Sequence, residues 1–221
     1  MNGTRGRLRR TSRRGRAAII VAALLAATSC GADRATTAFL LTADDVPGFV
    51  TLPKPSNWPQ VYAECGGDDT LLPGGTSGGH GVITFYRDDT VQLRKLQVDG
   101  VESYAVLADT EAEAQRTMGV LADPGFRRCV QDGLAVAQEE TVVNEQVVGS
   151  STLDLETPPV GDGVVAFRVT VDEAEHHFDH ELTAIRKGRA LAFLFTGRLG
   201  SDSYPDSERQ RLVSAIASRM P

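Results

Sequence analysis

The stretch VAFRVTV, Val165 to Val171, decides the fold class. Val165, Phe167, Val169 and Val171 alternate with Ala166, Arg168 and Thr170, the period-two pattern of a strand with one buried face. The next segments keep that character. In His177 to Arg186, Phe178, Leu182 and Ala184 alternate with Asp179, Glu181 and Thr183. Ala190 to Thr196 (ALAFLFT) is apolar on both faces, which suits a central strand, and a turn at Lys187-Gly188 joins the two. Together these segments predict an antiparallel meander.

Upstream, Val82 to Arg87, Val91 to Val98 and Val101 to Leu107 are rich in β-branched and aromatic residues. Asp88-Asp89 and Asp99-Gly100 separate them, so two or three further antiparallel strands are expected. Thr110-Glu-Ala-Glu113 reads as a capping box that opens a helix with Ala114, Met118, Leu121 and Ala122 on one face. Asp123-Pro124-Gly125 ends it, and Asp123 can cap a further turn carrying Cys129. A last helix begins near Pro205, and its stripe of Leu212, Val213, Ile216, Ala217 and Met220 should lie across the sheet. Near the start, Thr42 and Asp45 form a second capping box for a short helix anchored by Phe39, Leu40 and Leu41. Thr51 to Gly81 is rich in Pro and Gly and is expected to be mostly loop. The fold class is therefore α+β, an antiparallel sheet meander with flanking helices and a C-terminal helix.

The first thirty residues address location. Arg5, Arg7, Arg9, Arg10, Arg13, Arg14 and Arg16 precede any acidic residue, and an eleven-residue apolar run, Ala17 to Ala27, follows. A spanning helix needs about 20 apolar residues, so this run fits a secretory signal instead. Ala27, Thr28 and Ser29 then lead into Cys30. That pattern resembles the bacterial lipoprotein signal, which implies a diacylglyceryl group on the Cys30 thiol, a membrane anchor and a mature chain starting there. The usual lipobox has Leu three residues before the cysteine, where this chain has Ala27. Ordinary cleavage after Ser29 is the alternative. Ser12-Arg13-Arg14 also matches a twin-arginine signal, a pair that arginine-rich segments produce by chance. The expected organisation is a signal peptide over 1–29, a tether over 30–37 and one domain over 38–221, held by lipid on the extracytoplasmic face of the cell membrane.

Without the signal, 192 residues remain, with 16 basic against 29 acidic side chains. That balance disfavours nucleic acid and anionic lipid as general partners. With Cys30 assigned to lipid, Cys65 and Cys129 form the even pair expected to bridge in an exported protein. A closed loop of about 65 residues is worth roughly 4 kcal/mol in the chain-entropy model. Redox-active pairs normally show the CxxC spacing, absent here.

Two motifs invite a catalytic or metal reading. Gly75-Thr76-Ser77-Gly78-Gly79 has the G-x-S-x-G form, but a nucleophile elbow needs a strand before the serine and a helix after it. Here a Pro-Gly turn precedes Ser77 and a strand follows. No Gly-Lys-Ser/Thr follows either, so the loop is not a phosphate cradle. His176 and His180 would share a face on a helix and could hold zinc. On a strand they lie roughly 13 Å apart. His177 and Asp179 remain a two-ligand fragment, and pH response is the more natural role for these histidines. No catalytic residue, metal site or cofactor is therefore assigned. Trp58, Tyr62 and Tyr86 are the candidate pocket-lining aromatics, with packing against the bridge as the simpler account.

The order of elements, with Leu41-Thr42-Ala43-Asp44-Asp45-Val46-Pro47 and the two cysteines, resembles the actinobacterial lipoproteins grouped with the extracellular sensor domain of the kinase PknH. The resemblance covers most of the mature chain. It implies an antiparallel sheet with flanking helices and a cleft for an extracellular ligand. The PknH-type domain has two disulfides, whereas this chain can form one, and it carries no kinase segment. A Mog1/PsbP-like lipoprotein has a similar order. The functional expectation is a non-catalytic, ligand- or partner-binding lipoprotein. The alternatives are a hydrolase of envelope material, which needs a converging polar trio, and an envelope-assembly scaffold, which an extended exposed apolar patch would mark.

Overall fold

Seven strands form one antiparallel sheet: β1 (Val50–Leu52), β2 (Gly79–Asp88), β3 (Val98–Leu107), β4 (Val147–Asp154), β5 (Gly163–Glu173), β6 (His177–Lys187) and β7 (Ala190–Leu199). The structure, a computed structural model, describes residues 34–52, 58–66, 79–88, 98–141, 147–174, 177–200 and 203–221. All of these lie in one contact unit, Gly31–Pro221. The strand order is β1-β2-β3-β7-β6-β5-β4, so two meanders meet where β7 pairs with β3. The doubly apolar segment Ala190–Thr196 therefore occupies the centre, as its composition predicts.

Both sheet faces are covered. Over one face lie α2 (Trp58–Gly66), α3 (Glu111–Ala122) and α4 (Pro124–Thr141). Their Tyr62, Leu121 and Val130 pack with Phe167, Leu182, Phe193 and Phe195. Over the other lie the 39–46 segment and α5 (Asp206–Arg219), with Phe39, Leu41, Leu212 and Ile216 packed on Phe85, Val101, Ile185 and Leu194. Each such side chain contributes about 1.5–3 kcal/mol when fully buried. This double cover changes the reading of β6. Asp179, Glu181 and Thr183 alternate as expected, yet they are as buried as Leu182 and Ala184.

Local signals account for the helix ends. The Thr110 hydroxyl accepts from the Glu113 amide, and the Glu113 carboxylate accepts from the Asp109 amide, one residue further back than in the standard box. On α3, Ala114, Met118 and Leu121 are buried as expected, but Thr117 takes the inward place assigned to Ala122, which is exposed. The Thr42–Asp45 box closes a 3-10 turn, Ala43–Asp45, with Asp45 accepting from both the Thr42 amide and its hydroxyl. Ahead of it, Arg34–Thr37 forms one helical turn, α1, with Thr36 fully buried, where only a polar tether was expected. At the other end, α5 starts after Pro205 and buries Leu212, Val213 and Ile216, with Met220 just beyond it.

Besides α1, the short strand β1, which lies at the start of the expected loop, and α2, α4 and β4 depart from the sequence reading. Cys65 lies in helix α2 and not in a loop. Pro59 falls in the first turn, where its missing N–H costs nothing, and Val61, Tyr62 and Cys65 share one flank packed inward. Asp123 caps more than a turn, since its carboxylate accepts from the Gly125 and Phe126 amides and opens the 18-residue α4. β4 was not anticipated. It is an edge strand with a register irregularity between Val147 and Gly149, and Val148 and Leu153 are exposed. The expected strand Val91–Val98 lies outside the described residues except for Val98, the first residue of β3, and Asp99-Gly100, expected to separate two strands, lies within β3.

The disulfide is present as expected. Cys65 and Cys129 join α2 to α4 with a Cα–Cα distance of 5.6 Å. The two helices also approach closely at Gly133, where an added Cβ would stand 2.8 Å from Val61 Cγ1.

Candidate functional site

Two clusters of buried polar side chains lie on opposite faces of the sheet. On the face under α2–α4, β3 contributes Glu102 and Tyr104, β6 contributes His180, and α2 contributes Tyr62. Glu102, Tyr104, His180 and Tyr62 are 2%, 6%, 4% and 1% exposed. Phe195 is the hub of this cluster. Its ring centroid lies 4.8 Å from that of Tyr62 and 5.5 Å from that of Tyr104, the latter pair edge-to-face. Strand register places Glu102 opposite Phe195, and places Gly197 between Gly100 and His180.

The Tyr104 hydroxyl donates to Glu102 Oε2 at 3.2 Å. The Tyr62 hydroxyl is buried and makes no hydrogen bond with the described residues. A buried hydroxyl left unpaired costs about 1–3 kcal/mol. Burial pushes both phenols far above their ordinary range, and the charges of Glu181 on Tyr62 and Glu102 on Tyr104 add to it. Burial also lowers the His180 imidazole to about 4, against the weaker opposing pull of the Asp179 charge. His180 is thus neutral at pH 7. This face thus gathers a phenol donor, a neutral imidazole and an acid among aromatic rings.

The second cluster lies under the start of α5. Glu181, 1% exposed, accepts from Arg168 Nε at 2.8 Å and Nη2 at 2.5 Å through Oε1, and from the Thr196 hydroxyl at 2.8 Å through Oε2. Arg209, also buried, donates to Asp206 at 2.6 Å and to the Glu156 carbonyl at 3.0 Å, and stands 3.6 Å from Glu181 Oε1. Asp179 accepts from the Thr170 hydroxyl at 2.6 Å. His177 reaches the surface from here, with Nδ1 3.0 Å from Asp172 and Nε2 3.7 Å from Asp179. Two guanidiniums matched to these carboxylates make this an internal ionic network that positions α5 on the sheet.

The histidines do lie on a strand, and His177 and His180 project to opposite faces. Among the described residues, no group of three or more His, Cys, Asp or Glu side chains is placed to hold a metal ion. His176 and the Ser77 loop lie outside the described residues, and a strand begins at Gly79. Tyr62 is placed in the core beside Phe126, Phe167 and Phe195, with its hydroxyl buried among them. Trp58 heads α2 and Tyr86 of β2 pairs with Gly100 of β3, but their side chains lie outside the described set. Cys30 also lies outside it. Glu102 was missed, although its phase with Tyr104 and Val106 already marked it as an acid on an inward face.

No protein-family model matches the chain, and no curated protein matches it. No helix among the described residues is long and apolar enough to cross a membrane.

Proposed function

We propose that this chain is a membrane-anchored extracytoplasmic lipoprotein whose domain binds a small ligand without catalysis, in the manner of an extracellular sensor domain. The observation that supports binding is the Tyr62 hydroxyl, buried and without a hydrogen-bond partner among the described residues, on the same sheet face as Glu102, Tyr104 and His180. A ligand oxygen accepting from Tyr62 would supply the missing partner. The apolar rings around it would hold a nonpolar body. Anchoring rests on the Cys30 context in the sequence.

Protein extracted from the membranes of its native host and analysed by native mass spectrometry tests both parts. The expected result is a diacylglyceryl mass on Cys30 and a co-purifying small molecule in stoichiometric amount, lost in Tyr62→Phe. A mass matching unmodified Cys30 overturns the anchor. Ligand-free protein, together with no thermal shift from the host's membrane and metabolite extracts, overturns the binding reading. Turnover of any component of those extracts, abolished by Ser77→Ala, would favour the hydrolase.

A further inference from the structure

A cavity of about 440 Å³ lies at the pole where the domain's first residues enter. Ala35, Phe39 and Leu107 give it apolar walls, and Lys187, Arg189 and Arg219 supply three cations; no side-chain carboxylate is among its described lining residues. Pro221 also lines it. Arg219 is engaged by Asp45, which spends that charge. Among the described residues, neither of the other two cations has a carboxylate side chain as its ion-pair partner. Lys187 Nζ donates to the Met220 carbonyl at 2.9 Å, and Arg189 Nη1 to the Ala108 carbonyl at 3.4 Å, with Arg189 exposed. Both come from the β6–β7 turn, where Gly188 takes φ +56° and folds the two side chains to one end of the sheet.

We propose that this cavity seats one anionic phospholipid of the host bilayer, with its phosphate between Lys187 and Arg189 and its glycerol and upper acyl carbons against Phe39 and Leu107. The inference rests on the anchor reading for its geometry. Ala35 is five residues from Cys30, a span of at most about 18 Å of extended chain. A lipid on Cys30 therefore tethers Ala35, on the cavity wall, within that distance of the headgroups. The acidity of the mature chain opposes general adsorption to anionic lipid, so the contact has to be local. Its two cations lie within a Debye length, about 8–10 Å, of a phosphate only when the lipid is in the cavity or beside it.

The test uses the membrane-extracted protein reconstituted into vesicles of phosphatidylcholine alone or with one third phosphatidylglycerol. The chain has only three lysines, Lys54, Lys95 and Lys187, so acetylation rates read by peptide mass resolve each one. Lys187 should react several-fold more slowly in the anionic vesicles, with Lys54 and Lys95 unchanged, and Arg189→Gln should remove most of that protection. Equal Lys187 rates in the two vesicles overturn the proposal. So does equal slowing of all three lysines, which signals bulk adsorption, or protection by inorganic phosphate in neutral vesicles, which signals a free-anion site. The intact mass of the same sample separates the two readings. If Cys30 is unmodified the anchor fails, and the Lys187 comparison, made with the protein added to preformed vesicles, still decides the cavity.

Discussion

Arg219 of the terminal helix holds Asp45 of the N-terminal turn through both guanidinium arms, Nη1 to Oδ2 at 2.8 Å and Nη2 to Oδ1 at 2.5 Å. The same guanidinium donates to the Leu40 carbonyl at 2.9 Å, and Arg211 donates to the Asp45 carbonyl at 2.7 Å. The N-terminal turn and the last helix of the described domain are thereby fixed to each other. Bonding to Arg219, helped by Thr42 and opposed by burial, lowers the Asp45 carboxyl from 3.8 to about 2. A carboxyl depressed in the folded state gives stability that is full above its unfolded pKa and fades as pH falls toward the folded one. The loss should run from about pH 4 to 2 and amount to about 1–2 kcal/mol, reduced because Arg219 is partly exposed. Asp45→Asn should flatten this part of a urea-denaturation pH profile. An unchanged acid limb would show that the pair is not coupled to folding.

His180 governs a different window. Its folded pKa of about 4 lies below the unfolded value of 6.5, so the unfolded chain binds the extra proton between them. Stability should be full above pH 6.5 and fall by up to about 3 kcal/mol as pH drops to 4. His180→Gln should remove that slope while leaving the more acidic step of Asp45. Denaturant midpoints at pH 7, 5.5 and 4 measure it, and a slope that survives the substitution assigns the proton elsewhere.

The ionic network under α5 should be costly to break and cheap to lose whole. Glu181→Gln leaves the buried Arg209 and the half-buried Arg168 with one carboxylate fewer, and about 3–5 kcal/mol of stability should be lost. Replacing Arg168, Glu181 and Arg209 together by Met, Leu and Met should cost much less than the sum of the single changes. Chemical denaturation of all four variants reads the coupling, and additive losses would show three independent contacts.

Reduction of Cys65–Cys129, 64 residues apart in sequence, should lower stability by about 4 kcal/mol. The double variant Cys65→Ser, Cys129→Ser should match the reduced protein. Thiol titration of the unreduced, denatured chain should find neither cysteine free.

Tyr62→Phe should leave the ligand-free domain as stable or up to about 1 kcal/mol more stable, because it deletes an unpaired buried hydroxyl and keeps the ring. Differential denaturation of the two proteins after exhaustive dialysis measures it. A loss above 1 kcal/mol would mean that the hydroxyl has a partner outside the described residues.

Much of this architecture was legible in sequence because strand periodicity and capping chemistry are local. Val165–Val171, the Thr110–Glu113 box and the α5 stripe each declare themselves within about ten residues. What failed was context. Asp179, Glu181 and Thr183 look like a solvent face, and only the packing of α5 and the 39–46 segment on that side buries them. Pro59 and the glycines around Cys65 look like loop punctuation, since composition does not show that the proline sits in a first turn. β4, VVGSSTLD, carries two central serines and a bulge, too little apolar alternation to read as a strand. The binding candidate was half visible. Tyr62 was picked out as an aromatic near the bridge, whereas Glu102 and His180 acquire meaning only when register brings Gly197 between their strands.

The junction of the two meanders carries a consequence for how the chain reaches its native state. β3 pairs on one side with β2, its near neighbour in sequence, and on the other with β7, where Val98 meets Leu199 and Leu107 meets Ala190. That second edge finds its partner only after α3, α4 and three further strands have been made. Until then the apolar row of Val101, Ala105 and Leu107 belongs to an open sheet edge, the kind of surface that recruits strands from other chains. Closing it brings together residues roughly 80 to 100 positions apart, a non-local step of the sort that slows folding. The slow step and the aggregation hazard of this protein therefore coincide at a single seam.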